Sequence, residues 1–172
     1  MNKTIIIEGP DGMGKSTLAK TLSEHYGMEL CICGPAPKTL ENILYWTKRQ
    51  EDAVIAGGKV LDRVTAFSHQ VYKRVLETGP EKNLYLDFLT EKAKALVSYN
   101  PIIIYCSTSE VNHVTKDYDD EVYVENVLKN IPELRLEYIR AFATADVNPI
   151  RYDWTKPNAF NKLLENINAI AR

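Results

Sequence analysis

The sequence predicts an α/β domain: a five-stranded parallel sheet covered by helices on both faces. Three observations carry this. Short β-branched runs alternate with stretches at helical spacing from one end of the chain to the other. The runs are apolar throughout rather than every second residue, as strands buried on both faces require. No internal repeat, low-complexity tract or linker divides the chain, and 172 residues suit one domain, 1–172.

The elements follow in order. Residues 4–7 read as a buried strand ending in a glycine-rich turn. Residues 15–25 carry Leu18, Ala19 and Leu22 on one helical face, and Gly27 supplies the cap. Residues 29–33 are a second strand. Cys31 and Cys33 alternate along it and read as buried structural thiols; with Cys106 they form no disulfide framework and no zinc set. A helix over 39–54 places Leu40, Ile43, Leu44 and Thr47 together, and a third strand covers 59–61. Helices follow over 65–77 and 83–99. Residues 102–106 form the plainest strand. A long helix spans 121–143, where Pro132 should kink or interrupt it. Residues 150–154 are the fifth strand, and Pro157 is expected near the first turn of a last helix.

Composition narrows the function. Charged residues make up 26% and the net charge is −2, so the chain lacks the basic excess of a duplex-binding protein. No apolar run of membrane-spanning length or leader pattern is present, so no membrane association is expected and the cytoplasm is the expected compartment.

The strongest motif is Gly9-Pro10-Asp11-Gly12-Met13-Gly14-Lys15-Ser16, which fits G-x-x-x-x-G-K-[ST] at every fixed position, between a strand and a helix. Such a loop turns its N–H groups onto phosphate oxygens and adds the positive end of the helix. Gly9, Gly12, Met13, Gly14, Lys15, Ser16 and Thr17 are therefore the residues expected to bind a nucleoside triphosphate. Lys15 reaches the β- and γ-phosphates, and Ser16 holds Mg²⁺. Asp62 and Arg63 end the third strand, where ligands of open parallel sheets bind. A carboxylate there suits Mg²⁺ or an acceptor hydroxyl proton; an arginine suits a second phosphate. Behind them Phe67 and Tyr72 are candidates to lie beside a base, and Gln70 or His69 to read its edge. For Phe67 helix core is the competing reading, and His69 is read first as a packing or surface residue, like His25 and His113. Between the fourth strand and the long helix, Lys116 is the candidate lid cation. The acidic run 117–121 reads as a solvated helix start, and Arg135, Arg140 and Arg151 as solvated or paired.

These residues resemble the thymidylate kinase family. The stretch from Ile5 to Thr17, with an acidic residue inside the loop, is similar to that family's opening, and Leu61-Asp62-Arg63 followed by Ser68 and Tyr72 is similar to its Asp-Arg motif. Short thymidylate-kinase-like proteins of bacteriophages show the same combination. The resemblance implies the nucleoside-monophosphate-kinase form of the P-loop fold, a three-layer sandwich. It implies ATP and Mg²⁺ on the loop, a deoxynucleoside monophosphate as acceptor, and a homodimer. It implies that Asp11 contacts the acceptor sugar, Asp62 assists Mg²⁺ or the acceptor, and Arg63 holds the acceptor phosphate. The interval from Lys15 to Asp62 is short for the family. The acceptor-base helix with its arginine is what is missing, leaving Trp46, Lys48 and Arg49 as stand-ins.

Three functions compete. A deoxynucleoside monophosphate kinase needs positioning and charge neutralisation. A kinase of a hydroxyl acceptor (a deoxynucleoside, a hydroxymethylated base or an end in DNA) needs Asp62 as general base, and only this reading admits DNA. A nucleotide-binding switch should carry a water-orienting glutamine, which is not evident.

Overall fold

The computed structural model describes residues 2–34, 37–77, 83–108 and 121–171. The elements are β1 (Ile5–Glu8), α1 (Lys15–Tyr26), β2 (Glu29–Ile32), α2 (Leu40–Ala56), β3 (Lys59–Asp62), α3 (Thr65–Leu76), α4 (Leu86–Ser98), β4 (Ile102–Cys106), α5 (Glu121–Thr144), β5 (Ile150–Tyr152) and α6 (Ala159–Ile170). The five strands form one parallel sheet in the order β2-β3-β1-β4-β5. Every residue of β1 and β4 is buried. Successive side chains of a strand point to opposite faces, so both faces of the sheet are covered.

The isoleucines of β1 and β4 pair in register, Ile5 with Ile102 and Ile7 with Ile104. Behind them, α5 adds Tyr138 and Phe142. The Phe67–Phe142 and Tyr105–Phe142 ring centroids are 5.3 and 5.4 Å apart, in tilted and edge-on geometry. Aromatic pairs at this spacing contribute about 0.5–1.5 kcal/mol beyond the area they bury.

Three expectations need correction. β2 is an edge strand with no buried residue, so Cys31 and Cys33 are partly exposed and only Cys106 is buried. α5 runs through Pro132 without interruption, because Val127, Ile131, Leu134 and Tyr138 bury a continuous stripe on either side of it. Pro157 stands next to the first turn of α6, one residue before its N-cap Asn158, as expected. β5 ends at Tyr152, which leaves Trp154 in the loop that follows.

Candidate active site

The carboxyl ends of β1, β3 and β4 meet at the loop formed by residues 9–14. Gly9 (φ 140°) runs so close to β4 that an added Cβ would overlap the Cys106 carbonyl oxygen. Gly12 and Gly14 take left-handed φ values of 73° and 76°, which cost L side chains energy. Gly14 caps α1 with no side-chain hydrogen bond, and no acidic residue stands in the first turn. The amides at that helix end therefore remain available to an anion, and the helix dipole favours one there. Ser16 and Thr17 are exposed in the same turn. Met13 is fully buried, so its side chain serves the core and only its backbone faces the loop interior.

Lys15 is buried, donates to the Pro10 carbonyl and lies 3.9 Å from the Asp11 carboxylate. Burial and the neighbouring Arg63 charge push its ammonium down to about 8, against the opposing pull of Asp11. Asp11 is itself buried. Its N–H donates to the Tyr72 hydroxyl at 2.8 Å, Oδ1 accepts from Arg63, and Oδ2 accepts from the Tyr123 hydroxyl at 3.3 Å. Burial alone would raise this carboxyl, but the Arg63 and Lys15 charges outweigh it and hold Asp11 below the usual range. Both Asp11 oxygens are thus engaged inside the protein, and neither is presented to a sugar.

Asp62 ends β3 opposite Ile7, and its Oδ1 is buried with no hydrogen-bond partner. Arg63 follows at a left-handed φ of 72°, donates its N–H to the Ile7 carbonyl, and places its guanidinium 5.8 Å from the Tyr72 ring centre. Glu8 lies between these groups. Its Oε1 accepts the Val64 N–H at 2.7 Å, while Oε2 is buried without a partner. Burial raises the Glu8 carboxyl to about 8 despite Val64, Arg63 and Lys15.

Sequence reasoning missed three neighbours. Glu8 is one; an acidic residue closing a run of isoleucines was its signal. The second is Arg135 on α5, which donates to the Thr108 carbonyl, comes within 4.0 Å of the Met13 sulfur and keeps its buried Nε unpartnered. Trp154 is the third: a Cβ built on Gly14 would sit 3.1 Å from its ring. Nothing in the spacing of Arg135 or Trp154 tied them to the loop.

Two expected acceptor residues lie inside the protein. Phe67 is fully buried in the aromatic core, because positions 67 and 71 share the inward face of α3. Gln70 is buried between α3 and α4, donating to the Ala66 carbonyl and accepting from Thr90. Lys48 points to solvent and pairs with Asp52. Lys116 lies outside the described residues.

For Mg²⁺, the exposed Ser16 hydroxyl and the orphaned Asp62 oxygen are hard oxygen donors of the kind this ion takes, and Mg²⁺ in phosphoryl-transfer sites needs only one or two protein groups beside phosphate oxygens and water. Among the described residues no three metal-ligating His, Cys, Asp or Glu side chains stand together. No described helix is long and apolar enough to cross a membrane.

Loop, sheet order and strand ends together define the fold of the P-loop nucleotide and nucleoside kinases. Solved structures agree along nearly the whole chain. The YorR protein of Bacillus subtilis, solved in complex with phosphorylated GDP, matches with a TM-score of 0.67 at 21% identity, covering 98% of this chain and 96% of that one. Thymidylate kinase from Candida albicans matches at 0.60 and 14% identity, covering 99% and 94%. Deoxyadenosine kinase from M. mycoides, solved with dCMP and dCDP, matches at 0.65 and 15% identity, covering 96% and 99%. No family model and no curated protein matches the sequence.

Proposed function

We propose that the protein is a kinase that transfers the γ-phosphoryl group of ATP to a deoxynucleoside monophosphate, dTMP or a close analogue, giving the diphosphate. The carrying observation is the convergence of Lys15, Asp62 and Arg63 on one phosphate loop, each brought there by a different element: α1, the end of β3, and the turn after it. The thymidylate and deoxyadenosine kinases that share the fold, and YorR with its phosphorylated GDP, support the same class of chemistry.

In this reading the backbone of residues 9–14 and the start of α1 hold the donor phosphates, and Lys15 leaves Pro10 for the β- and γ-oxygens. Arg63 exchanges part of its contact with Asp11 for the acceptor phosphate, by the planar fork that suits that group. Arg135, with an unpartnered Nε, supplies a second cation from α5, near where Lys116 was expected to act. Ser16 and Asp62 would hold Mg²⁺, whose charge would be supplied to the transferring group when it is bound. A monophosphate oxygen is already a nucleophile, so the chain need only position and neutralise.

One observation favours a second reading. The orphaned Oδ1 of Asp62 also suits the general base that a hydroxyl acceptor requires. A coupled assay of ADP release against each deoxynucleoside monophosphate, each deoxynucleoside and DNA separates the two. Turnover with dTMP and with no deoxynucleoside or DNA, abolished by Lys15→Ala, is the expected result. Loss of about 10²–10⁴-fold in Asp62→Asn, with a hydroxyl acceptor turning over, establishes the second reading instead.

A further inference from the structure

The three backbone amides that follow Asp62 each donate to a different buried acceptor. Arg63 N–H bonds the Ile7 carbonyl at 3.0 Å, Val64 N–H bonds Glu8 Oε1 at 2.7 Å, and Thr65 N–H bonds Gln50 Oε1 at 2.7 Å. Glu8 comes from β1 and Gln50 from α2, and both side chains are buried. Gln50 is held in turn: its Nε2 donates to Cys33 Sγ at 3.2 Å, while the Cys33 N–H donates to the Asp62 carbonyl at 3.3 Å. The turn that carries Asp62 and Arg63 is thus braced by β1 on one side and by β2 and α2 on the other.

Local sequence does not supply these partners. The first amides of a helix lack intrahelical acceptors. The N-cap of α3 is Val64, whose side chain has no oxygen to offer them. Glu8 and Gln50 take the place of a cap from 56 and 15 residues away. A cap that served the helix alone needs only a serine or aspartate at position 64. The arrangement found instead buries a carboxyl and an amide, and leaves Glu8 Oε2 without a partner. What it holds is Arg63. Its φ of 72° lies in the left-handed region, where L side chains persist only if their surroundings over-determine them, and such residues gather at functional sites. This φ directs the guanidinium onto Asp11 Oδ1 and to 5.8 Å from the Tyr72 ring centre. Relaxing it to the negative values that L residues prefer re-aims the Cα–Cβ bond and carries the guanidinium off that position.

We propose that Glu8 and Gln50 are positioning residues: by taking the Val64 and Thr65 amides they lock Arg63 in its left-handed turn and aim its guanidinium at the acceptor phosphate. The proposal rests on the kinase reading for the identity of what Arg63 holds. Neither residue touches substrate. Glu8 acts as a hydrogen-bond acceptor, not as a base or a metal ligand. Burial raises its carboxyl to about 8, so at neutral pH it is mostly the uncharged acid, a shape that glutamine reproduces.

Glu8→Gln keeps the acceptor for Val64, whereas Glu8→Leu and Gln50→Leu each remove one. The expected result is a fall of about 10²-fold in kcat/KM for dTMP in both leucine variants, as a small misplacement of a catalytic group produces. KM for ATP stays at the parent value, and Glu8→Gln restores turnover of dTMP. In an Arg63→Met background the leucine replacements cost nothing further, because the group they position is gone. A general loss of stability would lower turnover equally in both backgrounds. Hydrogen exchange of the Arg63 amide, followed by NMR without nucleotide, reads the brace itself. It should quicken about tenfold in each leucine variant, the worth of one hydrogen bond, and not in Glu8→Gln. Two sites are used, so that a variant that does not fold leaves the other to decide. A loss in Glu8→Gln as deep as in Glu8→Leu overturns the proposal, since the carboxyl then acts by its charge or its proton. So do equal losses with and without Arg63, or an Arg63 amide that exchanges at the parent rate in both leucine variants. If the parent does not turn over dTMP, the monophosphate-kinase reading fails, and the exchange rates alone decide whether Glu8 and Gln50 hold Arg63.

Discussion

Glu8 sets burial against charge more sharply than its neighbours. Its carboxyl is fully buried, is raised to about 8 by that burial, and has one oxygen without a partner. Between its ordinary 4.5 and about 8, the folded protein keeps a proton that the unfolded chain has released. Unfolding then releases that proton, so rising pH favours unfolding across this window, and the penalty is complete above pH 8. Glu8→Gln cannot titrate. It should gain on the parent by on the order of a few kcal/mol between pH 5 and pH 8, because each tenfold difference in proton affinity between the two states is worth about 1.4 kcal/mol. Urea unfolding midpoints of both proteins at the two pH values measure the difference; curves that keep the same separation contradict it. At this scale the sequence was informative wherever backbone geometry dictates the residue. The glycines and Lys15 of the loop announced themselves, and Asp62 and Arg63 followed from their place at a strand end. Arg135 and Trp154 were illegible because they reach the loop through tertiary packing, across long separations in sequence.

Elements were legible where one physical requirement acted alone. The runs in β1 and β4 are isoleucine-rich because both sheet faces are covered. β2 misled because its apolar letters sit at an edge, and the same residues read as core until the strand order is known. Pro132 misled for a different reason. An interior proline costs about 3 kcal/mol, yet the buried stripe of α5 outweighs it. Two glycines at element ends test how much of the loop's geometry is steric. Gly27 caps α1 at φ 63° with open space around it, so Gly27→Ala meets only the left-handed backbone penalty of about 1–2 kcal/mol. Gly9→Ala must also push β1 and β4 apart at the Cys106 carbonyl. For a domain of this size a loss of 1 kcal/mol lowers Tm by roughly 2–4 °C. Circular dichroism melts should therefore show a drop of about 2–8 °C for Gly27→Ala and a clearly larger one for Gly9→Ala. Equal drops would mean that the loop can move off β4 freely.

At the scale of the whole molecule, one carboxylate joins parts that are far apart in sequence. Asp11 lies in the phosphate loop, Arg63 follows β3, Tyr72 is on α3 and Tyr123 is on α5, and all four meet at its side chain or its amide. Resemblance to thymidylate kinases implied a contact with the acceptor sugar; the contacts of Asp11 suit a second task, holding the loop to both helices and neutralising Arg63. The two assignments differ in what removal of the carboxylate does. Asp11→Ala leaves the Arg63 guanidinium, about a quarter exposed, without its partner. Breaking a buried pair typically costs 3–5 kcal/mol, and partial exposure places this one near the lower end, at about 3 kcal/mol. The expected result is a fall in Tm of about 6–12 °C. Adding Arg63→Met should recover much of it, because the orphaned charge, rather than the lost attraction, carries most of the cost. A double-mutant cycle on Tm, run without any nucleotide, measures this directly. If Asp11→Ala melts with the parent and loses only turnover, the carboxylate serves the acceptor, and the Asp11–Arg63 pair opens at little cost when substrate arrives.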